Sequence, residues 1–140
     1  MMEAVDGISF SVSATTRPPR ENEEHGVHYW FLTDEEFSDW LGRGAFLEYA
    51  RVYDHSYGTP VEPVMDALAE GRSILLDIDL QGARNVAATY AERVRRRFGE
   101  DHEDVVSVFI LPPSIGALRE RLVSRGTDDV AIINLSLIHI

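Results

Sequence analysis

Two short apolar runs in the second half of the chain, with a helical pattern between them, limit the fold to one class. The runs are Ser73–Ile78, SILLDI, and Val105–Leu111, VVSVFIL. Nearly continuous apolar runs of this length are typical of strands that are buried on both faces. The segment Gly82–Phe98 between them has the spacing of an amphipathic helix. Strand, helix and strand in this order predict a parallel pair and therefore an α/β fold.

The first half of the chain has a different pattern, with shorter strands. Residues Ile8–Ser13 alternate apolar side chains with serines, which is the period of a half-buried strand. Tyr29–Leu32 and Phe46–Val52 have strand composition, and a turn is expected around Tyr57 and Gly58. Residues 8–58 are therefore predicted to form a small strand-rich unit with one helix.

Helix starts are marked by capping signals. Thr33 followed by Glu36 predicts a capping box, and Thr59 followed by Glu62 predicts a second one with Pro60 at the first helical position. A further helix is expected to begin at Ser114. The inward-facing side chains predicted for the first two helices are Phe37, Trp40 and Leu41, and Val61, Val64, Met65 and Leu68.

Composition excludes several classes of function. The net charge of −11 argues against a partner that is itself a polyanion, such as a nucleic acid or an anionic membrane surface. The 140 residues include no cysteine, which excludes disulfides and thiolate metal sites, and the five histidines have no metal-ligand spacing. No stretch approaches the roughly 18 apolar residues that span a bilayer. A soluble, cytoplasmic protein without nucleic-acid or membrane partners is expected; the oligomeric state is left open.

The connection between the first two predicted strands is unusually rich in polar groups. Arg17 and Arg20 flank two prolines, which discourage helix and hold the guanidinium groups on a stiff spacer. Two guanidinium groups and the Tyr29 hydroxyl could form a small cage for a phosphate. The alternative is a solvated loop in which the arginines pair with neighbouring carboxylates. The candidates for that pairing are Glu21, Glu23 and Glu24.

The pattern TTRxxRxxExxGxxYxF, from Thr15 to Phe31, resembles the signature of guanylate kinases. Further matches follow in the family's order: FSVSATTR, AFLEYA, YGTP, LLDIDLQGA, FILPPS and LRERLVSRGTDD. Several motifs in register are far more specific than any one of them. The resemblance implies a P-loop-type nucleoside monophosphate kinase fold, with a parallel core sheet, a GMP-binding subdomain and a lid. It also implies ATP-dependent phosphorylation of GMP to GDP with magnesium.

The resemblance assigns roles to particular residues. Glu48 matches the carboxylate that accepts guanine's N1 and N2 donors. Its predicted strand face, shared with Phe46 and Ala50, is a poor place for a charge unless a ligand meets it; the alternative is a strand-edge glutamate in water. Asp77 matches the magnesium and base neighbourhood, although aspartates at a strand end often only cap the next helix. The residues implied in GMP binding are Ser13, Arg17, Arg20, Glu23, Tyr29, Glu48, Tyr57, Thr59, Asp77 and Asp79; those implied in catalysis are Asp79 and the lid arginines Arg121 and Arg125. An arginine pair with this spacing is otherwise a common surface feature.

The sequence also departs from the family pattern. No GxxGxGK[ST] loop precedes Phe10, there is no lysine, and residues 130–140 form an atypical apolar tail. An incomplete kinase domain is therefore expected over residues 1–129, with a GMP-binding subdomain at 8–58, a core at 59–115 and a partial lid at 116–129. Such a chain is expected to be inactive alone. The alternative is a noncatalytic, phosphopeptide-binding module, against which the retained Ser13 and Asp79 argue.

Overall fold

A computed structural model describes residues 7–99 and 105–126, apart from the side chains at positions 91, 95 and 125. The chain divides into two compact units, residues 1–105 and 106–140, which are described separately. The first unit contains β1 Ile8–Phe10, β2 Ala14–Thr15, β3 Trp30–Phe31, α1 Asp34–Gly42, β4 Phe46–Val52, β5 His55–Pro60, α2 Val61–Ala69, β6 Ser73–Leu75 and α3 Leu80–Phe98; the second contains α4 Ile115–Arg125.

Two sheets organise the first unit. Strands β1 and β6 form a parallel pair in which Ile8 lies opposite Ser73 and Phe10 opposite Leu75. The other sheet has four strands in the order β3-β2-β5-β4, with β2 parallel to β3 and antiparallel to β5. The expected mixed α/β class with parallel pairing is therefore confirmed, although the parallel partner of β6 is β1.

Two apolar clusters support these sheets. One joins Leu47 of β4 to Val64 and Met65 of α2 and to Val86 and Val94 of α3. Because α2 and α3 both contribute to it, this cluster holds β4 against the helices that follow it in the chain. Three consecutive β4 residues, 46–48, are buried, because a register shift interrupts the simple alternation there.

The second cluster lies under α1. Phe37 stacks on Phe46 with ring centroids 4.5 Å apart, and Trp40 packs against the same ring at 5.8 Å. The predicted inward positions Phe37 and Trp40 are confirmed, whereas Leu41 is 38% exposed at the last turn of the helix. The prediction for Leu41 was wrong because the helix ends one residue later and the chain turns away at Gly44, where φ is +67°.

The capping predictions had different outcomes. In the Thr33 box, the hydroxyl oxygen accepts from the Glu36 amide at 3.1 Å, and the Glu36 carboxylate accepts from the Thr33 amide at 2.7 Å. Ser114 caps α4 by accepting from the Ala117 amide at 3.1 Å. The second predicted box is wrong: α2 begins after Pro60, which makes no side-chain cap, since the Thr59 hydroxyl is used elsewhere.

The strand predictions were correct for β4 and only approximate for the others. Strand β5 replaces the turn expected around Tyr57 and Gly58, and a Cβ at Gly58 would lie 2.7 Å from the Phe46 ring, so the glycine permits close packing. In β1 the apolar side chains are exposed, with Ile8 at 40% and Phe10 at 43%, whereas Ser11, the residue after the strand, is buried.

The strand predicted over Val105–Leu111 is absent from the structure. Val106 and Ile110 are 84% and 85% exposed, and these residues form neither a helix nor a strand. A strand needs a neighbouring strand to satisfy its backbone groups. The described residues 105–126, which contain this run, include no other strand. The prediction of a strand over this run was therefore wrong.

Candidate functional site

Glu48 lies at the centre of the more deeply buried part of the candidate site. Strands β4 and β5 pair antiparallel with Glu48 opposite Thr59. The Thr59 hydroxyl donates to Glu48 Oε1 at 2.7 Å, and both residues are buried, with Glu48 7% and Thr59 1% exposed. A carboxylate removed from water to this degree needs partners. The neighbouring strand supplies one.

The beginning of α3 forms another wall beside Glu48. Asp79 Oδ1 accepts from the Gly82 amide at 2.7 Å, and the Asp79 carbonyl accepts from the Ala83 amide at 2.9 Å, so Asp79 caps this helix. Gly82 is buried and its α-carbon faces the Glu48 carboxylate. The capping role expected as the alternative for the aspartates therefore applies to Asp79, which remains exposed at the site.

These surroundings change the acidity of Glu48. Burial raises the pKa of the Glu48 carboxyl, the nearby negative charge of Asp79 raises it further, and the Thr59 hydrogen bond acts in the opposite direction. The ionised form is thus under-stabilised in the protein alone. Two further donors directed at the carboxylate would favour that form.

The arginine loop forms a second group of functional side chains. Arg17 Nη2 pairs with Glu23 Oε1 at 2.9 Å and its Nη1 donates to the Pro18 carbonyl at 2.7 Å. The other Glu23 oxygen accepts from the Arg20 backbone amide at 2.8 Å. That amide is the main reason why the pKa of Glu23 is lowered, with Arg17 adding to the effect. Glu23 therefore closes the loop and fixes the Arg17 guanidinium.

Aromatic rings surround the same guanidinium. Arg17 lies 5.6 Å from the Tyr29 ring centre and 5.8 Å from that of Phe31, and Tyr29 meets Tyr57 edge to face at 6.3 Å. Partial burial lowers the pKa of Arg17, but Glu23 and Tyr57 outweigh this, so the pKa is raised. Arg17 therefore remains a permanent cation held between aromatic rings.

Tyr29 connects this group to the end of β6. Burial raises the pKa of the Tyr29 hydroxyl, and Tyr57, Asp77 and Glu23 add to the rise while Arg17 opposes it. Asp77, which follows β6, therefore acts through its charge on the Tyr29 hydroxyl. The phenol stays protonated and can donate a hydrogen bond to an anion.

The remaining predicted site residues are Ser13, Arg20, Arg121 and Arg125. Arg20 is exposed, and only its backbone takes part in the loop contacts described above. Ser13 is half-buried and its carbonyl accepts from the Trp30 amide at 2.9 Å. Arg121 is exposed on α4, in the second unit, and the Arg125 side chain lies outside the described part of the chain.

Sequence reasoning missed two residues that shape the site. Thr15, which is fully buried, accepts from the Arg17 amide at 3.1 Å and so sets the start of the loop. Gly82 lets the α3 backbone approach Glu48. The sequence does indicate that Gly82 lies in the first turn of α3, because it is three residues after the capping Asp79, where a free helix amide is expected.

The described residues contain no cluster of three or more histidine, aspartate or glutamate side chains that could hold a metal ion. Mg²⁺ in kinase sites usually takes one or two carboxylates together with substrate phosphates and water. Asp77 and Asp79, both exposed just after β6, fit that smaller requirement. No helix among residues 7–99 and 105–126 is long and apolar enough to cross a membrane.

Together these features define a mixed α/β protein with a buried carboxylate and, in the same unit, a guanidinium–aromatic group. The chain belongs to the guanylate kinase family, whose model matches residues 2–140. It is 46% identical over 133 residues to a guanylate kinase of Sphingopyxis alaskensis, covering 95% of this chain and 56% of that protein. A guanylate kinase of Carboxydothermus hydrogenoformans is 48% identical over 126 residues, again with 56% of its length covered.

The structure comparison agrees with the sequence comparison. A crystal structure of guanylate kinase from Anaplasma phagocytophilum superposes with a TM-score of 0.67 at 38% identity, covering 86% of this chain and 58% of the other. The chain thus spans a little more than half the length of these relatives.

Proposed function

We propose that this chain carries the GMP site of a guanylate kinase, an enzyme that phosphorylates GMP to GDP with ATP. The observation that carries the proposal is the Glu48 carboxylate, which is buried, hydrogen-bonded on one oxygen by Thr59 and raised in pKa. A buried carboxylate is costly to the fold. A ligand with donors for the carboxylate would offset that cost and explain why an acidic residue stands there.

Guanine supplies such donors on one edge, whereas adenine presents an acceptor at the corresponding ring nitrogen. Glu48 would accept from guanine N1–H and the N2 amino group, while Thr59 holds the carboxylate in place. A site built around hydrogen bonds of this kind rejects an analogue that leaves its buried polar groups unpaired. Ser13, nearby in sequence to β2, is the further hydroxyl proposed to contact the base.

The arginine–tyrosine group would bind the GMP phosphate. Arg17 is already oriented by Glu23 and by the rings of Tyr29 and Phe31, so little side-chain freedom would be lost on binding. Tyr29 and Tyr57 are proposed to donate their hydroxyls to the phosphate oxygens. Arg20, which is exposed, would turn its guanidinium towards the same anion.

The remaining roles concern phosphoryl transfer. Arg121 and Arg125 are proposed to act as lid arginines that stabilise negative charge on the transferring group. Asp77 and Asp79 would face the nucleotide, with Asp77 nearest to the magnesium that accompanies ATP. When bound, the magnesium neutralises phosphate charge. The cytoplasmic location expected from the sequence remains a proposal.

Calorimetric titration of the whole chain with GMP and AMP tests the proposal. We expect tighter binding of GMP, loss of that preference in Glu48→Gln, and an unchanged preference in Glu35→Gln, which alters an exposed glutamate on α1. Arg20→Ala should weaken both nucleotides alike because the phosphate is common to them.

Two results would contradict this function. Equal affinity for GMP and AMP in the unaltered chain would remove the guanine site. Tighter binding of a phosphoserine peptide than of either nucleotide would instead favour a noncatalytic binding module that uses the same arginine loop.

A further inference from the structure

We infer that Gly82 is a positioning residue for guanine recognition, because the absence of a side chain there leaves the space that the Glu48 carboxylate occupies. This inference rests on the proposed function, in which Glu48 reads the base. Guanine specificity would then depend on the first turn of α3 as well as on strands β4 and β5. Gly82 itself would not touch the nucleotide.

The geometry around Gly82 is tighter than at other helical glycines in the chain. A Cβ at this position would lie 2.9 Å from Glu48 Oε2 and 3.2 Å from Glu48 Cδ. The same Cβ would lie 3.2 Å from the Ile78 Cβ. Real Cβ atoms essentially never approach another heavy atom as closely as 2.9 Å, so the carboxylate has to move when any side chain is added.

Movement of the carboxylate displaces both of its oxygens, including the one that accepts from Thr59. Glu48 Oε1 is fixed by the Thr59 hydroxyl at 2.7 Å, while Oε2 faces Gly82. A shift away from α3 therefore changes the position of both acceptor oxygens at once. Since guanine recognition needs both oxygens aligned with two donors, a displacement of a few tenths of an ångström affects recognition before it affects the fold.

The backbone gives no competing reason for a glycine here. Gly82 is not among the residues with positive φ, and its amide makes an ordinary capping bond to Asp79 Oδ1 at 2.7 Å. Alanine has the higher helix propensity. The glycine is thus unexplained by local conformation, and its close approaches to Glu48 and, less tightly, to Ile78 are what remain.

The test compares Gly82→Ala with Gly42→Ala, a matched change in α1, where no heavy atom lies within 4 Å of the added Cβ. We expect Gly82→Ala to reduce the GMP-over-AMP preference at least about tenfold, through weaker GMP binding, and to leave AMP affinity unchanged. Gly42→Ala should keep the preference. In a Glu48→Gln background, Gly82→Ala should cause no additional loss of discrimination.

A ligand-free measurement separates this inference from the proposed function. The carboxyl carbon resonance of Glu48, measured by NMR without nucleotide, should shift in Gly82→Ala and stay in place in Gly42→Ala. An unmoved resonance would overturn the positioning role whatever the ligand. A wild-type chain with no GMP preference would overturn the proposed function, and with it this inference, whereas a GMP preference that survives Gly82→Ala would overturn the inference alone.

If Gly82→Ala folds poorly, stability supplies the readout. A clash with the carboxylate should disappear when the carboxylate is removed, so Glu48→Ala/Gly82→Ala should unfold at or above the temperature of Glu48→Ala. A destabilisation that persists in the double variant would place the clash on Ile78 and contradict the positioning role.

Discussion

Replacement of Thr59 by valine tests how much the hydrogen bond between Thr59 of β5 and Glu48 of β4 stabilises the fold. Valine keeps the shape of threonine but removes the hydroxyl that donates to Glu48 Oε1 at 2.7 Å. Both residues are buried, at 1% and 7% exposure, so water cannot readily replace the lost donor. The variant therefore leaves a carboxylate without its partner in a poorly solvated place.

The magnitude follows from that contact. Hydrogen bonds to charged groups contribute about 1.5–3 kcal/mol, and an orphaned buried acceptor costs a similar amount. We expect Thr59→Val to lower the free energy of unfolding by roughly 2 kcal/mol at neutral pH. Thr89→Val, an exposed position on α3 whose hydroxyl donates to the Asn85 carbonyl, should change it by no more than about 0.5 kcal/mol.

The destabilisation caused by Thr59→Val should depend on pH. Burial already raises the pKa of Glu48, and loss of the Thr59 donor removes the contribution that lowers it. A carboxyl with a raised folded pKa contributes stability below its ordinary pKa and loses that contribution as the pH rises through the folded value. Thr59→Val should therefore cost more at neutral pH than in acid, where Glu48 is protonated.

Denaturant unfolding of the wild type and both variants, at neutral pH and at about pH 4, measures these differences. Equal losses at the two pH values would refute the reasoning, because they would show that the threonine stabilises the fold by packing and not through the charge of Glu48. A loss in Thr89→Val as large as in Thr59→Val would refute it as well.

Two further predictions concern the surrounding structure. Glu23→Gln should lower the free energy of unfolding by no more than about 1 kcal/mol at neutral pH. It should also flatten the loss of stability in acid, because a carboxyl with a lowered pKa stabilises the fold above its ordinary pKa and loses that contribution as the pH falls. Unfolding followed from neutral to acid pH measures this, and a profile equal to that of wild type would contradict it. Thr33→Ala should destabilise α1 by about 1 kcal/mol through loss of the capping box, and a thermal midpoint equal to that of wild type would contradict that role.

The parts of the fold that sequence predicted well are those decided by local chemistry. The Thr33 box and the Ser114 cap depend on a hydroxyl and an amide a few residues apart, so their patterns are self-contained. Strand β4 was also correct, since its apolar composition extends over seven residues.

The parts that sequence predicted poorly depend on partners distant in the chain. The Thr59 hydroxyl could cap α2 or donate to Glu48, and only the pairing of β4 with β5 decides for the second. Strand β5 carries glycine and proline, which disfavour strands locally, but the Phe46 ring needs the space above Gly58. The run Val105–Leu111 has strand composition, yet no strand forms there.

The candidate site shows the same division. The motifs predicted Arg17, Glu23 and Tyr29 as site residues, and the contacts bring these three side chains together as one group. Glu23, however, forms an ion pair with Arg17. The alternative of a solvated loop, in which the arginines pair with neighbouring carboxylates, predicts this contact. Gly82 could not be predicted as a neighbour of Glu48, because the two are brought together by the packing of α3 on β4.

Titration of the Glu48 carboxyl carbon resonance tests most directly whether the ionised carboxylate recognises guanine. The resonance should report a raised pKa in the free chain, since burial disfavours the charge. Saturating GMP should lower that pKa, because two donors aimed at the carboxylate stabilise its ionised form, whereas AMP should leave it unchanged. A Glu48 titration curve that is the same with GMP and with AMP would contradict this recognition.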